Sequence, residues 1–318
     1  MEKRLLSLLR LALKYKASDI HFTLRGATCR IELRVNEMLI RVKSSHLDLR
    51  LLRYLQYRAN LDVGCLHIPQ TGQFQMEVDG SVLSLRFALI ASLNLTSGVL
   101  RILNANLKVA ADKLSDDADQ NAYFKKLFAM SYGLLLFSGP TGSGKTTSLY
   151  ALLDAIKSSR KIYTIEDPIE VYNEGFVQLQ VNESVGFDYA VGVAQILRHD
   201  PDVIMIGEIR EEKAAKMAVI AANTGHLVVA SLHCGSAAGC ISRMKELGVG
   251  VDNLYEILLA LSNQRLLSDV HGHKHVLYEI MDKTEIAYFR QNGHNSPAFT
   301  SIDEQYRKGV NSGLFKEE

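Results

Sequence analysis

The sequence predicts an α/β protein, with one domain built on a mostly parallel β-sheet and a smaller α+β domain before it. Three observations support this prediction. Short, continuous apolar runs alternate with helical stretches in the second part of the chain, as in parallel sheets whose two faces are both buried. A glycine-rich turn joins one of these runs to a helical stretch. Near the start of the chain, apolar and polar residues alternate instead, which is typical of antiparallel strands.

Composition indicates an ordinary globular protein. The 318 residues suffice for two domains, and 47% are apolar and 22% charged. The formal net charge of +1 gives no field that would attract nucleic acid, so we expect no direct nucleic-acid binding. The four cysteines contain no C-x-x-C pair, so no zinc is expected, and free thiols are typical of a reducing cytosol. No apolar run is long enough to cross a membrane.

The predicted domain organisation has three parts. Residues 1–104 form the α+β domain, which begins with a basic, leucine-rich helix and includes a hairpin turn at Asp79-Gly80. That first helix is interpreted as a packing helix, and a membrane-surface or partner helix is the alternative. Residues 105–120, rich in aspartate, are predicted to be a linker. Residues 121–318 form the parallel-sheet domain with a C-terminal tail of helix and strand, and residues 254–267 are predicted to be helical.

The glycine-rich turn carries the first functional pattern. It matches G-x-x-x-x-G-K-[ST] between a predicted strand and a predicted helix. Glycines let backbone N–H groups turn towards an anion, and the helix N-terminus adds a positive dipole. The pattern predicts a nucleoside triphosphate site in which Lys145 reaches the phosphates and the Thr146 hydroxyl ligates Mg²⁺; a turn without a ligand is the less favoured alternative. The predicted binding residues are Gly139, Pro140, Thr141, Gly142, Ser143, Gly144, Lys145, Thr146 and Thr147.

Charged residues follow three other predicted strands of the parallel-sheet domain. Ligands of open α/β sheets lie at the carboxyl ends of the strands, so these side chains are expected near the glycine-rich turn. Carboxylates, an arginine and a histidine are what metal-assisted phosphoryl transfer requires. The residues are Glu166, Asp167, Glu170, Glu208, Arg210 and His233.

Several of these side chains have alternative interpretations. Glu166 and Asp167 fit helix caps or solvated turns equally well. Glu208 ends an otherwise apolar strand, which favours a role in the site. His226 and His233 flank one strand, and either alone could be a core histidine with an internal partner.

Three histidines, His271, His273 and His275, stand at alternate positions near the C-terminus. Such spacing places them on one face of a strand, as in some metal sites. The sequence interpretation assigns these histidines no carboxylate or thiol partner. The favoured interpretation is therefore that the three histidines are exposed to solvent at the start of a strand.

Together these segments resemble the secretion ATPases that drive type II secretion and type IV pilus assembly. Four signatures of that family occur in order: the phosphate loop at 139–147, an acidic segment at 164–170, a Walker B segment at 197–210 and a histidine segment at 224–233. Gln264-Arg265-Leu266 matches a further element, and residues 17–21 and 68–72 match the N-terminal domain of the family.

The resemblance implies a RecA-like P-loop domain preceded by a PAS-like α+β domain. It also implies a homohexamer that couples Mg-dependent ATP hydrolysis to the assembly of pilin-like subunits. Such a motor is a cytoplasmic protein that is peripheral at the cytoplasmic face of the cell membrane, and it works on a polytopic inner-membrane platform protein.

The resemblance also assigns roles to individual residues. Glu170 would activate water, Glu208 would be the Walker B carboxylate near Mg²⁺, and Arg210 follows it in the same segment. His233, with His226, would sense the γ-phosphate. The family's arginine fingers correspond to Arg86 and Arg101, for which ordinary strand-surface arginines are the alternative.

Departures from the family pattern indicate which kind of secretion ATPase the chain resembles most. The four-cysteine zinc element and the C-terminal helical signature of retraction motors are both missing, which fits the small competence ATPases of Gram-positive bacteria. Those ATPases power a pseudopilus used in DNA uptake. Ala194 and Gln73 replace frequent arginines, which leaves a nucleotide-gated scaffold with little turnover as an alternative, and Cys234 replaces a usual threonine. Another pilus or secretion system and a nucleic-acid translocase are further alternatives.

Overall fold

The computed structural model describes residues 1–26, 28–36, 38–42, 49–65, 68–103 and 109–317, apart from the side chain of Ser184. The chain forms two compact units. The first comprises Met1–Leu107 with Glu170–Tyr172, and the second comprises Lys108–Ile169 with Asn173–Glu318. Each unit has its own core of buried apolar side chains.

In its described residues the first unit contains an antiparallel sheet and two helices. The six strands of this described part are arranged in the order β3-β2-β1-β6-β5-β4. The predicted hairpin is confirmed, because Val78 pairs with Ser81 and both turn residues have positive φ, as a two-residue turn of this kind requires. The elements are α1 Glu2–Lys14, β1 Asp19–Arg25, β2 Thr28–Val35, β3 Met38–Arg41, α2 Leu49–Arg58, β4 Gln70–Val78, β5 Ser81–Ser92 and β6 Leu95–Ile102.

The second unit contains the predicted parallel sheet, in the strand order β13-β12-β7-β11-β10-β8-β9. Among the described strands of this sheet only β13 runs antiparallel, against β12. The α/β fold class is therefore confirmed. The elements are α3 Ala118–Phe128, β7 Gly133–Ser138, α4 Lys145–Asp154, β8 Ile162–Glu166, β9 Phe176–Gln180, α5 Tyr189–Ile196, β10 Val203–Ile206, α6 Glu212–Asn223, β11 Leu227–Leu232, α7 Gly239–Glu246, α8 Val251–Ile257, β12 Leu258–Ser268, β13 Lys274–Met281, α9 Lys283–Asn292 and α10 Ile302–Asn311.

Two parts of this unit differ from the sequence prediction. Helix α3 begins at Ala118, inside the predicted linker, because the Asp117 carboxylate caps it by accepting the N–H groups of Asp119 and Gln120. The helix predicted at residues 254–267 is confirmed only as far as Ile257, the last residue of α8, and is wrong beyond it, since the chain enters strand β12 at Leu258. Every residue from Leu258 to Gln264 is buried, and such a run does not distinguish a strand from a buried helix.

Candidate functional site

The glycine-rich loop joins the fully buried strand β7 to helix α4. Gly139, Gly142 and Gly144 all have positive φ, which side chains rarely tolerate. At Gly139 a Cβ would also collide with the backbone carbonyl of Gln264 on β12. Gly144 precedes α4 without any side-chain cap, so the N–H groups of the first helical turn remain available to an anion.

Side chains of the loop also fit a phosphate. The Lys145 ammonium group donates to the carbonyls of Gly139 and Pro140, at 2.8 and 3.1 Å. Ser143 is 3% exposed, and its hydroxyl has no hydrogen-bond partner within the described part of the chain. A buried polar group without a partner is costly, and a phosphate oxygen would supply one. Thr146 lies half-buried in the first turn of α4.

The adjacent parallel strands β10 and β11 bring three predicted residues together at their carboxyl ends. The Glu208 carboxylate accepts a hydrogen bond of 2.6 Å from Arg210 Nη2. His233 Nε2 lies 3.2 Å from the other carboxylate oxygen of Glu208. The second guanidinium nitrogen of Arg210 is 4.0 Å from the Asp167 carboxylate. We call Glu208, Arg210 and His233 the strand-end cluster.

The electrostatics of the cluster favour an ionised Glu208. Burial is the largest single influence and pushes the pKa of Glu208 upward, but the Arg210 hydrogen bond and the charges of His233, Arg210 and Lys145 together outweigh it. The pKa of Glu208 therefore lies below its usual range. The contribution of Lys145 shows that the loop and the cluster share one electrostatic environment.

No group of three or more His, Cys, Asp or Glu side chains in the described residues could hold a metal ion alone. Mg²⁺ at nucleotide sites usually takes one or two protein oxygens and completes its shell with water and phosphates. Thr146 and Glu208 offer a hydroxyl and an ionised carboxylate, so they fit such a partial set of ligands.

Other predicted site residues lie elsewhere. Glu166 is buried and accepts hydrogen bonds from the hydroxyls of Tyr150 and Thr164, so it is neither a helix cap nor a solvated turn residue. Glu170 is exposed and lies in the segment Glu170–Tyr172, which groups with the first unit. Its role as a base stays a prediction.

The structure does not bring His226 to the strand-end cluster. His226 precedes β11 and His233 follows it, so the six residues of the strand, about 20 Å, separate them. The Nδ1 atom of His226 contacts the Ala221 carbonyl and the Thr224 hydroxyl at the other edge of the sheet. The two histidines therefore do not meet within one chain, and a sensor role for His226 stays a prediction.

The two predicted arginine fingers lie in the first unit. Arg86 on β5 pairs directly opposite Arg101 on β6, and both are exposed. The Nε atom of Arg101 donates to the Asp19 carboxylate at 2.7 Å. Like charges placed directly opposite on neighbouring strands repel each other, and a bound anion would relieve that repulsion.

Strand β12 supplies two residues whose importance the helix prediction concealed. The fully buried Gln264 donates from Nε2 to the Ser143 carbonyl at 2.7 Å. The Asn263 amide donates to the Ser138 hydroxyl and to the Cys234 carbonyl, both at 2.9 Å. These amides connect the phosphate loop with the segment that follows His233. The available signals were the family match at Gln264-Arg265-Leu266 and the two adjacent amide side chains in a mostly apolar run.

The C-terminal histidines surround a carboxylate that the sequence interpretation overlooked. Asp269 accepts the backbone N–H groups of His271 and His273, and its carboxylate also lies 3.0 Å from His273 Nδ1. His275 contacts Asp269 through Nε2 and Asp116 through Nδ1, at 3.3 and 2.6 Å. Asp269 thus stabilises the turn between β12 and β13.

A buried parallel strand, a glycine-rich loop opening a helix and an ionised carboxylate on a neighbouring strand end define a P-loop nucleoside-triphosphate-binding protein. The model of the type II/IV secretion system protein family matches residues 1–310. The chain belongs to this family of secretion, pilus and competence ATPases. The resemblance inferred from the motifs is thereby confirmed.

Two relatives illustrate the match. Competence protein ComGA of Bacillus subtilis (strain 168) is 38% identical over 256 residues, which cover 79% of this chain and 72% of ComGA. Type II secretion system ATPase E of Vibrio cholerae is 37% identical over 260 residues, covering 80% of this chain and 52% of that protein. The chain spans about half the length of the type II secretion relatives.

Two solved structures share the fold. The pilus retraction motor PilT with bound ADP has a TM-score of 0.74 at 25% identity, covering 98% of this chain and 94% of PilT. The Legionella pneumophila ATPase DotB has a TM-score of 0.72 at 22% identity, covering 97% of this chain and 92% of DotB. Among the described residues, no helix is long and apolar enough to cross a membrane.

Proposed function

We propose that this protein is a Mg-dependent ATPase that works as a homohexameric motor and powers assembly of a type IV-like competence pseudopilus for DNA uptake. The observation that carries the proposal is the phosphate loop beside the strand-end cluster, in which Glu208 is held ionised by Arg210. The similarity to ComGA over most of both chains supports the competence assignment.

Each part of the site has a role in this proposal. Residues 139–147 bind the phosphates through backbone N–H groups and Lys145, and Thr146 and Glu208 hold Mg²⁺. That ion would neutralise charge developing on the phosphates. Glu170 accepts a proton from the attacking water. His233 contacts Glu208 and responds to the γ-phosphate, while Arg210 orients Glu208.

Arg86 and Arg101 complete the proposed machinery as arginine fingers. They lie directly opposite each other on β5 and β6, and both side chains are exposed to solvent. Arg101 donates a hydrogen bond to the Asp19 carboxylate. Such a pair stabilises negative charge that develops in a transition state. A hexamer would let fingers from one subunit serve the loop of another.

The proposal places the motor at the cytoplasmic face of the cell membrane, on a polytopic platform protein, without direct contact to nucleic acid. Work in another pilus or secretion system is the nearest alternative, since the type II secretion relatives are about as similar as ComGA. A nucleotide-gated scaffold is favoured only by Gln73 and Ala194, two positions at which the family frequently has an arginine. Gln73 pairs opposite Arg86 in the sheet.

Phosphate release with Mg-ATP separates the motor from the scaffold. The wild type should turn over, and Glu170→Gln should lower the rate roughly 100-fold or more, because a positioned base contributes at least that much. Glu174→Gln is the matched control, since Glu174 is an exposed carboxylate four residues away. Equal, near-zero rates for wild type and Glu170→Gln would exclude the motor and leave the scaffold.

A further inference from the structure

Two free cysteines lie beside the strand-end cluster. Cys234 directly follows His233, is half-buried and lines a cavity of about 380 Å³ together with Glu208, Arg210 and His233. Cys240 is fully buried in the first turn of α7. Neither thiol has a part in the proposed hydrolysis.

The two cysteines lie close together. Cys234 packs against the buried core that contains Cys240, and each thiol is the largest single influence on the pKa of the other. The hydrogen bond of the Cys240 thiol goes to the Ser236 carbonyl, at 3.9 Å. The Cβ atom of Cys234 also lies 3.5 Å from the place that a Cβ would take at Gly239, the residue before Cys240. The segment between them therefore folds back so that Cys234 packs beside the first turn of α7, which carries Cys240.

The two thiols differ in reactivity. The interaction with Cys240 lowers the pKa of Cys234, and the positive charges of Arg243 and Lys145 act in the same direction against burial. The interaction with Cys234 and burial raise the pKa of Cys240 well above its usual range. An accessible thiol of lowered pKa beside a buried second thiol is the arrangement of a redox-sensing pair.

We propose that Cys234 and Cys240 form a reversible disulfide, with a hydroperoxide as oxidant, and that this disulfide lowers turnover at the nucleotide site. The inference deepens the proposed function and rests on it, because the site that is switched is the proposed site of hydrolysis.

The chemistry balances with hydrogen peroxide. The Cys234 thiolate attacks one oxygen of hydrogen peroxide, so an S–O bond forms and the O–O bond breaks. The departing hydroxide takes up one proton, equivalent to the one the Cys234 thiol had lost, and becomes water. The Cys240 thiol then attacks the sulfur of the sulfenic acid, forming the S–S bond. The S–O bond breaks, and the hydroxide leaves as water with the Cys240 proton. Two thiols are oxidised by two electrons, and one peroxide is reduced to two waters.

The disulfide would act on hydrolysis through the backbone of Cys234. The Cys234 carbonyl accepts from Asn263, and His233, the residue before it, contacts Glu208. A bond to Cys240 draws Cys234 towards α7 and so pulls His233 away from Glu208. The phosphate loop lies outside the closed segment, so oxidation should lower turnover more than nucleotide binding.

The test treats the full chain with hydrogen peroxide after the reductant is removed. Mass spectrometry of the intact protein should show a loss of about 2 Da, and peptides prepared without reductant should link Cys234 to Cys240. Phosphate release, relative to the same protein in dithiothreitol, should fall roughly tenfold or more and recover with dithiothreitol. Cys234→Ser and, separately, Cys240→Ala should abolish this response.

Cys29 and Cys65 provide the matched control, because both are partly exposed thiols of the first unit. The double variant Cys29→Ser/Cys65→Ser should keep the whole response. Free thiols at Cys234 and Cys240 after treatment, or equal inhibition of Cys234→Ser, would overturn the inference. A reduced protein without turnover would instead count against the proposed function, because mass spectrometry detects the disulfide independently of activity.

Discussion

Gln264 on strand β12 anchors the phosphate loop: its side-chain Nε2 donates a hydrogen bond of 2.7 Å to the backbone carbonyl of Ser143. Both residues are buried, and they lie 121 positions apart in the chain. The neighbouring strand β12 also approaches so closely that only glycine fits at position 139. The shape of the loop is thus fixed jointly by its own glycines and by β12.

Gln264→Ala should weaken nucleotide binding. The change leaves the buried Ser143 carbonyl without a partner, at a cost of about 1–3 kcal/mol, so the Kd for ATP should rise roughly tenfold or more. Titration with a fluorescent ATP analogue measures this. Gln305→Ala is the control, because Gln305 makes a comparable bond to the Tyr278 carbonyl on β13. An unchanged Kd in Gln264→Ala would contradict the account.

Arg210→Ala should shift the acid side of the pH–rate profile to higher pH. Arg210 lowers the pKa of Glu208 against burial, so its removal lets burial dominate and the pKa of Glu208 rise. Steady-state rates measured across the acid range test this. Arg243→Ala is the control, since Arg243 lines the same cavity but pairs with Glu246. If the rate falls but the acid side of the pH–rate profile stays at the same pH, Arg210 does not lower the pKa of Glu208.

Asp116→Asn should destabilise the protein in a pH-dependent way. The hydrogen bond with Asp116 is the largest cause of the raised pKa of His275. A raised pKa stabilises the fold fully below the unfolded pKa of histidine, about 6.5, and this gain is lost as pH rises through the folded pKa.

Thermal unfolding at pH 6 and pH 9 measures the effect of Asp116→Asn. The loss at pH 6 should be no more than about 1 kcal/mol, because Asp116 is exposed, and it should vanish at pH 9. Asp112→Asn serves as the control, as an exposed aspartate of the same segment. An equal loss at both pH values would rule out the titration of His275 as its cause.

Arg86→Ala should lower kcat by roughly 1,000-fold while ATP binding changes little, as expected of a group that acts in the transition state. Arg53→Ala is the control, because Arg53 is an exposed arginine of the same unit on α2. Mixing Arg86→Ala with Lys145→Ala should restore activity if fingers act across subunits. Full activity of Arg86→Ala alone would make Arg86 an ordinary surface arginine.

The sequence predicted those parts of the site whose chemistry directly follows a strand. Glu208 and His233 were found because parallel strands end at one edge of the sheet. His226 was assigned to the sensor by the family resemblance alone, although it precedes β11 and so lies at the amino end of that strand. Glu166 was misinterpreted because its partner Tyr150 comes from helix α4. Gln264 lay within a predicted helix because β12 is buried on both faces.

The central claim is that this phosphate loop hydrolyses ATP, and phosphate release with Mg-ATP tests it most directly. The account predicts turnover by the wild type that requires Mg²⁺ and falls to background in Lys145→Ala, with both proteins equally folded by circular dichroism. Equal rates in the two proteins, or wild-type turnover that persists without divalent metal, would contradict it.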